Sequence, residues 1–197
     1  MRSSQAPSSE SSVAAAAKTV AAAGPSLDVL VNNAGIAAGF VESLAPDGSY
    51  TVPPSRETIA NVRDTYDVNV FGPIRVTQAF LPLLLAAPAA RIVMVSSYQA
   101  SLARASDDSN PSYGVNLLAY GTSKTALNAV VVSFAKELAP RGLKVNAAAP
   151  GFTSTDLNAH SGRRTVQEAA EIVVRLATLS DDGPTGGYFD EDGPVLW

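Results

Sequence analysis

Residues 90–97, Ala90-Arg91-Ile92-Val93-Met94-Val95-Ser96-Ser97, form an apolar, partly β-branched run that stops in two hydroxyls. A run without polar alternation reads as a strand buried on both faces, the situation of a parallel sheet. Two other runs share the pattern. Leu27-Asp28-Val29-Leu30-Val31 passes directly into Asn32-Asn33-Ala34-Gly35, and Leu143-Lys144-Val145-Asn146-Ala147-Ala148-Ala149 passes into Pro150-Gly151-Phe152-Thr153-Ser154-Thr155. Ligand sites of open α/β sheets lie at the carboxyl ends of strands, and small residues there let a ligand approach the backbone. The expected fold is α/β, a parallel sheet flanked by helices.

Helical patterns alternate with these strands, as a parallel sheet requires. A helix is expected over Val13–Ala23, then a Gly-, Pro- and Ser-rich loop from Ile36 to Ser55. Arg56–Leu85 reads as one long helical region containing Asn69, with Pro73 and Pro82 marking a bend and a late turn. Further helices are expected over Tyr120–Leu138 and about Val166–Leu179, and Gly186-Gly187-Tyr188-Phe189 reads as a last short strand.

Tyr120-Gly121-Thr122-Ser123-Lys124 opens the second long helix. Residues at i and i+4 share a helix face, and an ammonium beside a phenol favours the phenolate and lowers the tyrosine pKa. A phenol so tuned exchanges a proton near neutral pH. Alone the pair is weak, since Tyr-x-x-x-Lys arises by chance on solvated helix faces.

Together these stretches resemble a short-chain dehydrogenase/reductase. The motifs are Asn32-Asn33-Ala34-Gly35, Asn69 within Val68-Asn69-Val70-Phe71-Gly72, Ser96-Ser97, Tyr120-x-x-x-Lys124 and Pro150-Gly151-x-x-x-Thr155, in the family's order from about Ser12 to the C-terminus. The resemblance implies a Rossmann-like fold and hydride transfer between NAD(P)(H), with NADP favoured, and a small carbonyl or alcohol substrate. It implies Asn69, Ser97, Tyr120 and Lys124 as the catalytic residues. Tyr120 would be the general acid/base, Ser97 the donor to the substrate oxygen, and Asn69 the holder of a water linking Lys124 to solvent. Asn33, Ala34, Gly35, Tyr120, Lys124, Pro150, Gly151 and Thr155 would meet the cofactor, the Thr155 hydroxyl bonding the nicotinamide carboxamide. The two long helices, Arg56–Leu85 and Tyr120–Leu138, are the surfaces through which such proteins form homo-oligomers.

Two departures from the family pattern matter. Its members open with a strand and a Thr-Gly-x-x-x-Gly-x-Gly turn that holds the cofactor pyrophosphate at a helix N-terminus. Neither that turn nor the first three strands are found before Leu27, where a flexible Ser-rich start (residues 1–12) precedes a partial domain (residues 13–197). Val29–Val31 is then expected at an unpaired, apolar sheet edge. The missing turn sustains an alternative function, a cofactor-independent lyase, isomerase or cyclase using Ser97, Tyr120 and Lys124, or an inactive partner. The second departure is the long separation of Ser97 from Tyr120, where about a dozen residues is commoner, so Tyr98–Leu118 is expected as an insertion flanking the substrate pocket. Its Asp107-Asp108-Ser109-Asn110-Pro111 is turn chemistry, and Tyr113 lacks a lysine four residues later.

Composition narrows the rest. The chain has 197 residues, 46% of them hydrophobic, enough for a single core. Its formal net charge of -4, without a basic stripe, disfavours nucleic acid as a partner. The absence of cysteine excludes disulfides, and a single histidine, His160, leaves little scope for zinc, so no metal is expected. Lys18 interrupts the Ala-rich run near the N-terminus, which disfavours an export signal, and no run of roughly 18 apolar residues stands out. The chain reads as cytoplasmic, with no membrane segment. The paired Arg163 and Arg164 read as solvated charges rather than a phosphate site.

Overall fold

The computed structural model describes residues 9–39 and 52–197. Residues 1–8 of the Ser-rich start and 40–51 of the loop expected over Ile36–Ser55 lie outside them. Helix α1 spans Glu10–Ala23, starting earlier than its Ala-rich core suggests because Ser9 caps it, accepting from the Ser12 amide. Strand β1 is Val29–Asn32, β2 is Arg91–Val95, β3 is Lys144–Ala148 and β4 is Tyr188–Phe189. All are parallel neighbours in the order β1-β2-β3-β4, with Leu30 opposite Ile92 and Ile92 opposite Val145.

The long region expected as one helix is three pieces. Helix α2 (Ile59–Tyr66) and helix α3 (Gly72–Ala86) are joined by a π turn over Asp67–Phe71, where the Gly72 amide bonds the Asp67 carbonyl five residues back. The break is this wide turn, which ends just before Gly72-Pro73, and Pro82 lies inside α3. After β2 come a short helix α4 (Leu102–Ala105), the long α5 (Leu118–Leu138) and α6 (Val166–Ala177). Thr165 and Glu168 cap α6 reciprocally, each side chain bonded to the other's backbone amide.

Alternation along the strands divides the core. Ile92, Met94, Val145 and Ala147 face Phe80, Leu84, Leu127, Val131 and Leu138 of α3 and α5, while Val93 and Ala148 face Ile172 and Leu176 of α6. Full burial of a Leu or Val side chain stabilises the fold by about 1.5–3 kcal/mol, and Leu84, Val131, Val93 and Val145 are fully buried. Arg91, at the head of β2, is 6% exposed, donates to the Leu179 carbonyl at 2.8 Å and pairs with Asp181 at 2.7 Å.

Among the described residues strand β1 lies at the sheet edge, and Val29 and Val31 are 37% and 39% exposed. The helical run Ile59–Ala86 is, by length and composition, apolar enough to cross a membrane, which corrects the expectation that no such stretch exists. Its inward residues Thr65, Asn69, Val70, Thr77 and Leu84 are buried, and it packs on α1, α5 and β1 as a core helix.

Candidate active site

The three polar strand ends come together at one edge of the sheet. Asn33 and Ala34, after β1, are exposed, while Gly35, Ser97 after β2, Tyr120 of α5, and Pro150, Gly151 and Thr155 after β3 are half-buried. Beneath this accessible rim Asn69 and Lys124 are 0% and 3% exposed.

The π turn aims the Asn69 amide into the gap between α5 and the end of β1. Its Oδ1 accepts from the Ile36 amide at 2.8 Å, and its Nδ2 donates to the Ile36 carbonyl at 2.8 Å and to Ser123 Oγ at 3.0 Å. Both amide hydrogens are thereby used, so the side chain is a clamp between loop and helix rather than a free donor to water. Ser123 Oγ in turn donates to the Tyr120 carbonyl at 2.7 Å. Ser123 was not singled out in the sequence, although it stands beside Lys124 in the motif; the partner that gives it a role is far away in the chain.

Lys124 Nζ donates to the Val95 carbonyl at 2.8 Å and lies 5.7 Å from the Tyr120 ring centroid. Burial lowers its pKa from the ordinary lysine range to about 8. Gly35 is the residue that permits this packing: a Cβ there would stand 3.3 Å from both Lys124 Nζ and Asn69 Oδ1.

The Tyr120 phenol corrects a sequence expectation. Burial raises its pKa, and the hydrogen bond from Ser97 only partly opposes that. The ammonium was expected to pull the phenol down. It bonds the Val95 carbonyl instead, and loss of hydration is the largest influence on the phenol.

The two serines separate cleanly. Ser96 is buried and donates to Asn128 Oδ1 at 2.7 Å, serving the core, whereas Ser97 reaches Tyr120 and accepts from the Gln99 amide at 3.3 Å. After β3, Gly151 adopts φ +81°, a left-handed conformation suited to glycine. The Thr155 amide donates to Asn158 Oδ1 at 3.2 Å. Arg164 is not a solvated charge. It pairs with Glu191, and its chain lies against Gly151, where a Cβ would come within 2.7 Å of Arg164 Cδ. His160 pairs with Asp156 at 2.9 Å, and Tyr113 is 53% exposed. Among the described residues no cluster of metal-binding side chains occurs.

Residues 6–165 match the short chain dehydrogenase family. The chain belongs to that family. It is 30% identical to (-)-isopiperitenone reductase of Mentha piperita, over 92% of this chain and 76% of that protein. It is also 30% identical to salutaridine reductase of Papaver bracteatum, over 83% and 68% of the two chains. The crystal structure of NADPH-bound carbonyl reductase from chicken fatty liver superposes with a TM-score of 0.80 at 26% identity, covering 97% of this chain and 75% of that one. Short-chain dehydrogenase membership agrees with the observed parallel sheet and its flanking helices.

Proposed function

We propose that this short-chain dehydrogenase is a carbonyl reductase, reducing a small carbonyl compound to an alcohol with NADPH. The observation that carries the reading is the Ser97–Tyr120–Lys124 arrangement at the carboxyl end of β2, with the phenol protonated and the ammonium buried beside it. Three similar proteins are reductases by name, and one is NADPH-bound.

The residues present fit the nicotinamide end of the cofactor. Gly35 leaves a backbone surface against Lys124 and Asn69, where a Cβ would crowd both at 3.3 Å, and Gly151 makes a left-handed turn after β3. Asn33, Ala34 and Gly35 on one side, and Pro150, Gly151 and Thr155 on the other, would hold it, with Tyr120 and Lys124 between. When bound, the nicotinamide supplies the hydride.

The chain's own groups handle the charge and the proton. Ser97 Oγ donates a hydrogen bond to the substrate carbonyl oxygen, stabilising negative charge as it develops there. Tyr120 gives its phenolic proton to the same oxygen, completing the alcohol. The phenolate left behind is favoured by the Lys124 ammonium, which the Val95 carbonyl holds in place. Asn69 acts by clamping Ile36, and so Gly35, against α5. The groove beside Val62, Tyr66 and Phe71 on the α2 side, with Phe71 47% exposed, supports self-association through the long helices.

The deciding experiment is fluorescence titration of folded protein with NADPH and NADH, followed by a screen of carbonyl compounds. Saturable binding and turnover support the reading. A folded chain that binds neither nucleotide overturns it, leaving acid/base chemistry without a cofactor or a partner role.

A further inference from the structure

The C-terminal residues return over the segment that follows Ser97. Antiparallel bonds, from the Val195 amide to the Tyr188 carbonyl at 2.8 Å and from the Asp190 amide to the Gly193 carbonyl at 2.9 Å, fold residues 188–197 into a tight return. This brings Trp197 onto the Tyr188 ring, stacked at 5.5 Å between centroids and 24° between planes. The return is tied to the segment after β2 at four points. The Tyr188 hydroxyl donates to the Ser97 carbonyl, and the Tyr98 hydroxyl donates to Asp190 Oδ2 at 2.9 Å. Ser101 Oγ donates to the Leu196 carbonyl at 2.6 Å, and the Ala103 amide donates to the Trp197 carbonyl at 2.9 Å.

Three of these bonds secure residues on the insertion side. The fourth falls on Ser97, whose backbone is extended (φ -161°, ψ 153°) immediately before a tight turn over Tyr98–Ala100. The direction of Ser97 Oγ follows the orientation of this backbone. We propose that Tyr188, backed by Trp197, is a positioning residue: its hydroxyl fixes the Ser97 backbone so that Ser97 Oγ meets the Tyr120 phenol. The inference rests on the Ser97–Tyr120 pairing of the proposed function. Tyr188 is 2% exposed, and burial raises its phenol well above the ordinary tyrosine value, so it remains a donor at any pH at which the protein is handled. Without the hydroxyl the Ser97 carbonyl keeps only the bond from the Ala100 amide at 2.8 Å, which closes the turn but does not tie it to the C-terminal return.

The test is the hydrogen bond at the Tyr120 hydroxyl, followed at fixed neutral pH through the ¹³Cζ chemical shift in the full chain and assigned by its loss in Tyr120→Phe. Ser97→Ala removes the bond to the phenol and is expected to shift that resonance. Tyr188→Phe is expected to move it in the same direction by at least half as much, and to add nothing in the Ser97→Ala background. Trp197→Ala is expected to give a smaller shift that Trp197→Phe reverses. A shift with Ser97→Ala but none with Tyr188→Phe overturns the positioning role, as does full additivity of the two. No shift with Ser97→Ala overturns the Ser97–Tyr120 pairing itself. Should Tyr188→Phe lose its far-ultraviolet circular dichroism, the Trp197 pair decides by the same resonance: a shift reversed by Trp197→Phe supports the proposal, and no shift overturns it.

Discussion

Gly35 and Lys124 are packed so closely that a single Cβ on residue 35 would stand 3.3 Å from the Lys124 ammonium nitrogen. A strand end and a helix face, distant in the chain, meet there over a backbone with no side chain between them.

Gly35→Ala forces either Lys124 or Asn69 to give way, and overpacking of this kind costs about 1–3 kcal/mol. We expect a lower melting temperature and at least a tenfold loss of nicotinamide nucleotide affinity, read by fluorescence titration. Wild-type affinity in Gly35→Ala would show that the seat is not used by the cofactor.

Tyr120→Phe removes the proton donor while keeping the ring that Lys124 approaches. General acid catalysis contributes about 10²–10⁴-fold, so turnover should fall by that factor with nucleotide binding little changed. Retained turnover would remove Tyr120 from the mechanism.

Burial lowers the Lys124 pKa from 10.5 to about 8, and the sign of its linkage follows. Below about pH 8 the folded protein carries the full cost of the buried ammonium; between there and the unfolded pKa the unfolded chain binds more protons, so stability from this group rises with pH. Lys124→Met should therefore be more stable than wild type at pH 7, with the gap narrowing as pH rises, measured by urea unfolding. Reduction rate should fall above about pH 8 as the ammonium is lost. A stability gap that does not change with pH would exclude Lys124 as its source.

Asn69→Ala leaves the Ile36 amide and carbonyl without their partner, while Ser123 Oγ keeps its bond to the Tyr120 carbonyl. Stranding buried polar groups costs about 1–3 kcal/mol each, so unfolding free energy should drop by several kcal/mol, with faster hydrogen exchange at the Ile36 amide. Unchanged exchange there would contradict the clamp.

The exposed edge of β1 makes a simpler prediction. A charge on an edge strand opposes strand addition, so Val31→Lys should raise the concentration at which the protein aggregates, measured by light scattering. No change would show that this edge is not the aggregating surface.

Much of this architecture is legible in the sequence because parallel strands buried on both faces leave continuous apolar runs. Ile92–Val95 is such a run, and the polar residues that end it mark the site. The Tyr120–Lys124 pairing is equally legible, being local to one helix. What escapes is whatever depends on a partner far along the chain. Nothing about Asn69 signals a π turn, because the Gly72-to-Asp67 bond that defines it is backbone and needs no particular side chain. The direction of the Tyr120 pKa depends on how dry its surroundings are, and spacing does not carry that. Tyr188 looks like a residue of a short last strand until its hydroxyl is seen on the Ser97 carbonyl.

The wide turn at Asp67–Phe71 sets the helical phase of everything after it. Each residue of an α-helix advances about 100° around the axis, so one added or lost there rotates α3 by that angle relative to α2. With the turn present, Thr65 on α2 and Thr77 and Leu84 on α3 all point inward on one continuous surface, while Asn69 is delivered to a different neighbour. Deleting a single residue in this stretch would regularise the helix and set its two halves against each other: α2 could keep its face to α5, or α3 its face to the sheet, but not both. The irregular turn thus keeps the inward faces of α2 and α3 in phase with each other.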